Sequence, residues 1–172
     1  MSFGFHPISK EAQIRKVPIK QRKQNNKPEL HKGRLIPKRS VRGRIMKKDY
    51  NEALRRHGEY CYLCGTTVGL EAHHVRFRSN GGRGGWRNIR FLCNEHHRGK
   101  YSPHRDEGVR RALETVHEEL YGPWYWADRY DIFKAGLIPT PTEECFERFM
   151  AEEERKARYR NIDVDCSANA YF

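Results

Sequence analysis

Apolar residues are scarce in this chain of 172 residues. Hydrophobic side chains make up 37% of it, and its mean hydropathy is -0.98. No stretch approaches the ~18 consecutive apolar residues of a membrane span, and the N-terminus lacks the apolar run of a signal peptide. We therefore expect a soluble, cytoplasmic protein that is neither secreted nor in a membrane. The length suits one domain with a modest core, or a small domain with long appendages.

Acidic residues are almost absent from the first 48 positions, which carry 15 Lys and Arg against Glu11 and Glu29. The formal net charge of the whole chain is +12, which is typical of proteins that bind a polyanion, most often nucleic acid. This segment is also too poor in apolar side chains to fold alone. We expect residues 1–46 to form a basic arm, flexible or extended, that becomes ordered on nucleic acid. A solvated tail that only aids solubility is the alternative.

Cysteine is limited to five residues, an odd number, and Cys61 and Cys64 lie too close together to staple the fold usefully as a disulfide. Metal binding in a reducing compartment explains them better. Cys61-x-x-Cys64 is matched by Cys93-x-x-His96, and a two-residue gap lets a tight turn offer both side chains to one ion. The spacing predicts a structural Zn²⁺ site of Cys3His type, which staples a small element with little core.

The order of apolar and turn residues predicts a small α+β fold. A helix is predicted from Lys47 to His57, and Gly58 would end it. It leads into the Cys61-x-x-Cys64 turn, which we call the first knuckle. Two strand-like stretches then flank the glycine-rich NGGRGGW, and together they predict a hairpin. One or two helical turns follow it. We define three parts: the arm, a core over residues 47–105 and a helical C-terminal extension over residues 106–172.

Two helices are predicted in that extension, with an aromatic helical packing segment, WYWADRYDIFKAGLI, between them. Apolar residues recur at helical spacing from Val109 to Leu120, and Gly122 with Pro123 ends the pattern. The stretch TPTEE resembles a capping box with Thr140 at the cap, so a second helix should start there.

Two adjacent histidines, His73 and His74, occupy the first strand of the predicted hairpin. Neighbouring side chains on a strand point to opposite faces. One histidine can therefore hold a metal while the other stays free for proton transfer. Asn88 opens the second strand, and His97 directly follows the last zinc ligand.

Residues 58–104 resemble the HNH, or ββα-metal, nuclease superfamily, through the stretches CYLCG, EAHHV, GG before Asn88, and FLCNEHHRGK. The cysteine knuckles match the zinc-stapled branch of that family. The resemblance implies a ββα-metal core in which His73 and His97 bind a catalytic divalent ion. It also implies two catalytic residues: His74 as general base and Asn88, which orders the hairpin. The implied ion is Mg²⁺, Mn²⁺ or another divalent transition metal.

Two positions depart from the family pattern. The fourth zinc ligand is usually a cysteine, whereas this chain has His96, and spacing from Cys93 favours His96 over His97 for zinc. The third ligand of the catalytic ion would fall on Tyr101. Either water completes that site or His104 bends into it.

The implied activity is hydrolysis of DNA phosphodiester bonds by nicking or double-strand cleavage, leaving a 5′-phosphate and a 3′-hydroxyl. The general base would take a proton from water while one divalent ion acts as Lewis acid at the phosphate. The substrate we expect is double-stranded or branched DNA rather than RNA. Phosphate contacts are predicted for five basic residues around the site: Arg76, Arg78, Arg87, Arg98 and Lys100.

Other functions stay open on the sequence alone. A non-catalytic zinc-knuckle module could bind nucleic acid through the basic arm, although it would have no reason to keep a spare histidine pair. An RNase or a toxin would share the same site and differ in substrate. The acidic C-terminal helices could pair two copies of the chain or contact a protein partner. By resemblance, small HNH proteins with basic arms belong to phages and mobile elements.

Overall fold

The computed structural model describes the backbone of residues 28–168 and the side chains of residues 28–160. The first part of the predicted arm, 1–27, and the end of the C-terminal extension, 169–172, lie outside the described residues. Between them the chain forms two two-stranded antiparallel sheets and several helices. The predicted α+β class is confirmed. Within residues 28–168, no helix combines the length and the apolar character needed to cross a membrane.

The central hairpin pairs strand β3 (Leu70–His74) with strand β4 (Ile89–Cys93). Strands β1 and β2 precede it in the chain and are described below. His73 lies opposite Arg90 in the antiparallel register. All five residues of β4 are buried, because helix α2 (Lys47–His57) packs against this strand. Helix α3 (Asn94–Arg98) begins directly after β4 and packs back onto both strands. A hairpin followed by a short helix is therefore the framework on which the histidines are mounted.

The connection between these strands, residues 75–88, is tied together internally by the side chain of Asn88. Asn88 is fully buried. Its Nδ2 donates to the carbonyls of Arg76 (3.1 Å) and Arg83 (2.8 Å), and its Oδ1 accepts from the Arg76 amide (2.8 Å). The backbone at Gly82 lies so close to the backbone at Arg76 that a Cβ at Gly82 would overlap the Arg76 carbonyl. The side chain thus satisfies backbone groups that a long connection would otherwise leave unpaired.

The N-terminal segment, which we define as residues 28–46, is folded. Strands β1 (Glu29–His31) and β2 (Arg34–Ile36) form a hairpin, and the one-turn helix α1 (Arg39–Arg42) follows. The hairpin turn has positive φ at both central positions, Lys32 (46°) and Gly33 (72°), as a type I′ turn requires.

This segment differs from the flexible or extended arm expected over residues 1–46. Ile36 is 1% exposed, and the His31 ring meets the edge of Phe133 at a centroid distance of 5.4 Å. The physical reason is tertiary. The segment has too little apolar surface to fold alone, but it packs on side chains from the far end of the chain.

In the described part of the C-terminal region, up to residue 168, the chain forms helices α4 (Glu107–Tyr121), α5 (Arg129–Lys134) and α6 (Glu143–Ala168). The prediction of Thr140 as the cap of the last helix is wrong. The helix starts two residues later than a Thr140 cap implies, and the Thr142 hydroxyl accepts the amide of Cys145 (3.3 Å).

The predicted border at residue 105 runs through a shared core. Leu113 and Tyr125, from the C-terminal region, join a buried cluster with Val75, Leu92 and the knuckle residue Cys61. The C-terminal helices are therefore part of the core that supports the central hairpin, rather than an appendage to it.

Candidate metal centres and catalytic site

The predicted zinc ligands meet at one point. The ligand atoms of Cys61, Cys64, Cys93 and His96 all lie within 4.8 Å of one another. The Cys64 and Cys93 sulfurs are 3.9 Å apart, and the Nδ1 atom of His96 is 3.2 Å from the Cys93 sulfur and 3.8 Å from the Cys61 sulfur. Tetrahedral zinc bonds of about 2.0–2.3 Å imply separations of about 3.5–3.8 Å between ligand atoms. The group fits a metal ion such as zinc.

Local backbone structure brings these ligands together. The amide of Gly65 donates to the Cys61 carbonyl (2.8 Å), and the Cys61 amide donates to the Thr66 carbonyl (2.7 Å), which closes a tight turn. Cys93 ends β4 and His96 lies one turn into α3. Burial opposes ionisation of the Cys61 thiol, yet backbone N–H groups around the sulfur lower its pKa to about 7. This favours the thiolate, which is the form that binds metal.

A second group consists of His73, His97 and His104, whose ligand atoms also lie within 4.8 Å of one another. The ring centroids are 5.2 Å apart for His73 and His97, 5.1 Å for His73 and His104, and 5.2 Å for His97 and His104. The rings come from β3, from α3 and from the turn before α4. Of the two alternatives for the third position, the structure brings His104 into the group.

His73 is the buried member of this histidine group, at 1% exposure. Its Nε2 is inaccessible to solvent and has no hydrogen-bond partner among the described residues. An unsatisfied buried nitrogen costs roughly 1–3 kcal/mol, and a metal bond would satisfy it. Burial, together with His97 and His104, lowers the pKa of His73 to about 3. The ring is therefore neutral at physiological pH, as a ligand must be.

Glu71 contacts another member of the histidine group. Its carboxylate contacts the Nδ1 atom of His97 and also pairs with Arg98 (Nη2 to Oε1, 2.7 Å). The hydrogen bond from His97, followed by that from Arg98, lowers the pKa of Glu71. A carboxylate on Nδ1–H leaves Nε2 of the same ring for a metal ion. Sequence reasoning missed Glu71, although its position two residues before His73 puts both on one face of β3.

His74 turns to the other face, where its Nε2 lies 3.0 Å from the Gly43 carbonyl oxygen. A carbonyl only accepts, so Nε2 must donate, and Nδ1 of the neutral ring then carries the lone pair. Burial lowers the pKa of His74, and the hydrogen bond to Gly43 opposes this shift. The neutral ring can take up a proton at Nδ1. Nothing in the local sequence indicates Gly43, which lies 31 residues upstream.

The five residues predicted to contact phosphates differ in exposure. Arg78, Arg98 and Lys100 are exposed, although Arg98 shares its charge with Glu71. Arg76 is half-buried, with its guanidinium 4.1 Å from the centroid of the Trp126 ring.

Arg87 corrects the prediction for that position, because it cannot reach a phosphate. It is 7% exposed and pairs with Glu147 (2.8 Å) and Glu154 (2.7 Å) of α6. The two carboxylates are 60 and 67 residues away in sequence, so the local pattern of charges gave no sign of them.

Comparisons of the chain with protein-family models, with curated proteins and with solved structures found no match. The functional interpretation therefore depends on the geometry of the two groups. One can hold a metal ion such as zinc, and the other brings three imidazole rings together on the face of β3 opposite His74.

Proposed function

We propose that the protein is a metal-dependent DNA nuclease of the HNH, ββα-metal type. The observation that carries the proposal is the histidine group: His97 and His104 lie beside His73, whose buried Nε2 lacks a partner among the described residues. On the opposite face of the same strand, His74 is fixed with Nδ1 as its proton acceptor. A simple binding module needs neither feature.

The donor set bears on the choice of ion. Imidazole nitrogens suit Zn²⁺, Ni²⁺ or Fe²⁺, whereas Mg²⁺ and Mn²⁺ prefer oxygen and would need water for the remaining positions. His73, His97 and His104 would hold the ion, with Glu71 orienting His97. When bound, a divalent ion supplies a Lewis acid for the scissile phosphate and the departing 3′-oxygen.

The protein's own residues supply the proton transfer. His74 is neutral, so its Nδ1 can remove the proton from an attacking water, while the Nε2–H bond to Gly43 keeps the ring from turning. The Gly43 carbonyl also stabilises the positive charge that the ring gains, because it accepts a charge-assisted hydrogen bond from the imidazolium. The products of this reaction would be a 5′-phosphate and a 3′-hydroxyl.

Exposed cations would bind the substrate. Arg78, Arg98 and Lys100 lie close in sequence to the histidines and are exposed. Phosphate contacts of this kind position a duplex without reading its sequence. These cations suit a polyanion, and the substrate class that we propose is double-stranded or branched DNA.

The test is cleavage of supercoiled plasmid by the full chain with Mg²⁺, Mn²⁺, Ni²⁺ or Zn²⁺. His74→Gln is the sharpest variant, since a glutamine amide can still donate to Gly43 but cannot take up a proton. We expect it to lose at least about 100-fold in cleavage rate while its affinity for DNA changes less than about twofold. The control is His31→Gln. It removes a ring of the N-terminal segment that packs on Phe133 of α5.

Normal cutting by His74→Gln would refute the base assignment. A wild-type protein that binds DNA but cuts with none of the ions would instead favour the non-catalytic zinc-knuckle module.

A further inference from the structure

The carbonyl that holds His74 belongs to a segment with little intrinsic stability. Helix α1 is a single turn of four residues, and its apolar residue, Val41, is exposed. A helix this short is unstable by itself. The position of Gly43, directly after α1, must therefore come from contacts to other parts of the chain.

Two backbone contacts place Gly43 against the connection between β3 and β4. The Gly84 amide donates to the Arg42 carbonyl (3.1 Å), and a Cβ at Gly84 would overlap the carbonyl of Arg44. The carbonyls on either side of Gly43 are thus in direct contact with Gly84.

Arg42 anchors this segment through its side chain. Its Nε and Nη2 donate to the Asp128 carboxylate (2.7 and 2.5 Å), and Nη2 also lies 2.6 Å from Asp131. The Arg42 side chain is 7% exposed, so solvent screens these pairs little. Asp131 is held in turn by Arg83, at 2.6 and 2.8 Å. Asp128 caps α5 by accepting the amides of two residues in its first turn.

We propose that Arg42, clamped by Asp128 and Asp131, is a positioning residue that sets the ring orientation and tautomer of His74 through the Gly43 carbonyl. The proposal rests on the proposed function, because positioning matters for catalysis only if His74 is the base. Arg42 acts through its neighbour in sequence, which makes it distinct from the residues that would touch the ion or the phosphate. Helix α5 thereby becomes a support for the catalytic base.

The test compares Arg42→Gln with the wild type, both as full chains loaded with Zn²⁺. Nitrogen-15 NMR of the histidine rings reports the tautomer directly. We expect wild-type His74 to carry a slowly exchanging proton on Nε2, and the variant to lose that protected signal. Displacement of a catalytic group by about 1 Å can cost about 100-fold. We therefore expect kcat for plasmid cleavage to fall about 10- to 100-fold while KM and DNA affinity change less than about twofold.

Two variants serve as matched controls. Arg87→Gln removes a guanidinium of similar burial, which pairs with two carboxylates of α6, and controls for a general fall in stability. Lys134→Gln breaks an ion pair of 2.7 Å with Glu29, another link between the N-terminal segment and α5. Both should keep the His74 signal and kcat. Arg42→Lys, which can pair with one carboxylate but not with both in the same geometry, should be intermediate.

Retention of the protected His74 signal in Arg42→Gln would overturn the proposal, as would an equal loss in Arg87→Gln. If Arg42→Gln does not fold, Asp131→Asn removes one charge of the clamp, keeps the shape of the side chain and is judged by the same signal. A wild-type protein without nuclease activity would refute the proposed function alone, because the NMR comparison still decides whether Arg42 positions His74.

Discussion

Asn88 joins both ends of the connection between β3 and β4 through three hydrogen bonds to backbone atoms. In Asn88→Ala, buried groups of Arg76 and Arg83 would lose their partner, and each unsatisfied group costs about 1–3 kcal/mol. We expect the free energy of unfolding to fall by at least about 2 kcal/mol. Urea denaturation measures this as a lower midpoint at unchanged slope. Asn80→Ala, at an exposed position of the same connection, should change little.

His117 makes stability depend on pH. It is fully buried, its Nδ1 donates to the Arg87 carbonyl (2.7 Å), and its Nε2 accepts from Arg90 (3.0 Å). Both nitrogens are used in the neutral form, and burial, together with Arg90, lowers the pKa of His117 to about 3. In the unfolded chain the value is about 6.5. Between these values the unfolded state binds more protons, so stability is lost as pH falls from 6.5 towards 3.

We therefore expect the free energy of unfolding to decrease on acidification, with His117 contributing up to about 1.4 kcal/mol per pH unit. Denaturation curves at several pH values give the free energy of unfolding of the wild type and of His117→Gln as a function of pH. The difference between the slopes of these two pH dependences measures the contribution of His117. Equal slopes would contradict this, because they would mean that His117 binds protons equally well in the folded and unfolded states.

Single residues of the site were predictable where spacing alone places them. The zinc ligands and the His73 and His74 pair follow from short intervals in sequence, which local turns and strands convert directly into geometry. Gly43 and the partners of Arg87 could not be found in this way, since those contacts join residues 31 or more positions apart. A buried arginine and an exposed one look the same until the packing partner is known.

At the scale of elements, the Cys3His group and the histidine group share helix α3. His96 of the first group and His97 of the second are consecutive in this helix. Losing zinc should therefore displace His97 as well as unfold the knuckle. We expect the purified chain to retain one equivalent of zinc through dialysis. Cys64→Ser should weaken zinc binding and lower both thermal stability and cleavage.

Metal analysis, thermal denaturation and plasmid cleavage measure these effects. Cys145→Ser is the matched control, because this half-buried thiol lies beside the Thr140 hydroxyl (3.5 Å) and belongs to neither of the two metal groups. A zinc-free protein of unchanged stability would contradict the assignment of the Cys3His group.

Helices with a continuous apolar pattern and a glycine stop were predictable from the sequence. Helix α2 spans the predicted residues, Lys47–His57, and ends at Gly58, whose φ of 79° favours glycine. Helix α4 likewise ends before the predicted Gly122. The hairpin of β1 and β2 was not predicted, because its leucines Leu30 and Leu35 do not form a buried apolar face. Its stability comes instead from packing on α5, where His31 contacts Phe133.

Across the whole molecule, the acidic C-terminal region neutralises part of the basic charge that precedes it. Asp128, Asp131, Glu147 and Glu154 pair with arginines of the N-terminal segment and the central connection. A net charge of +12 therefore overstates the number of cations free for nucleic acid. Composition alone predicts the class of partner but not which cations reach it.

Residues 1–27 carry seven Lys and Arg against Glu11, and their removal tests the predicted basic arm. We expect the truncated chain to bind DNA more weakly and with a shallower dependence on salt, since the slope decreases by about 0.9 for every phosphate that the arm no longer neutralises. Fluorescence anisotropy at a series of salt concentrations measures this slope. Cleavage at saturating DNA should persist, because Gly43 is retained. An unchanged slope would reduce these residues to a solubility tail.

The bond between Gly43 and His74 also defines the smallest portable unit of this protein. A fusion designer who cut at the first long helix, α2, would keep every cysteine and histidine of the two metal groups. That product would nevertheless lack the carbonyl that holds His74, together with the arginine clamp behind it. On the proposed function, a module for grafting onto a DNA-binding protein therefore has to include the N-terminal segment, so any new partner should be attached ahead of the first hairpin.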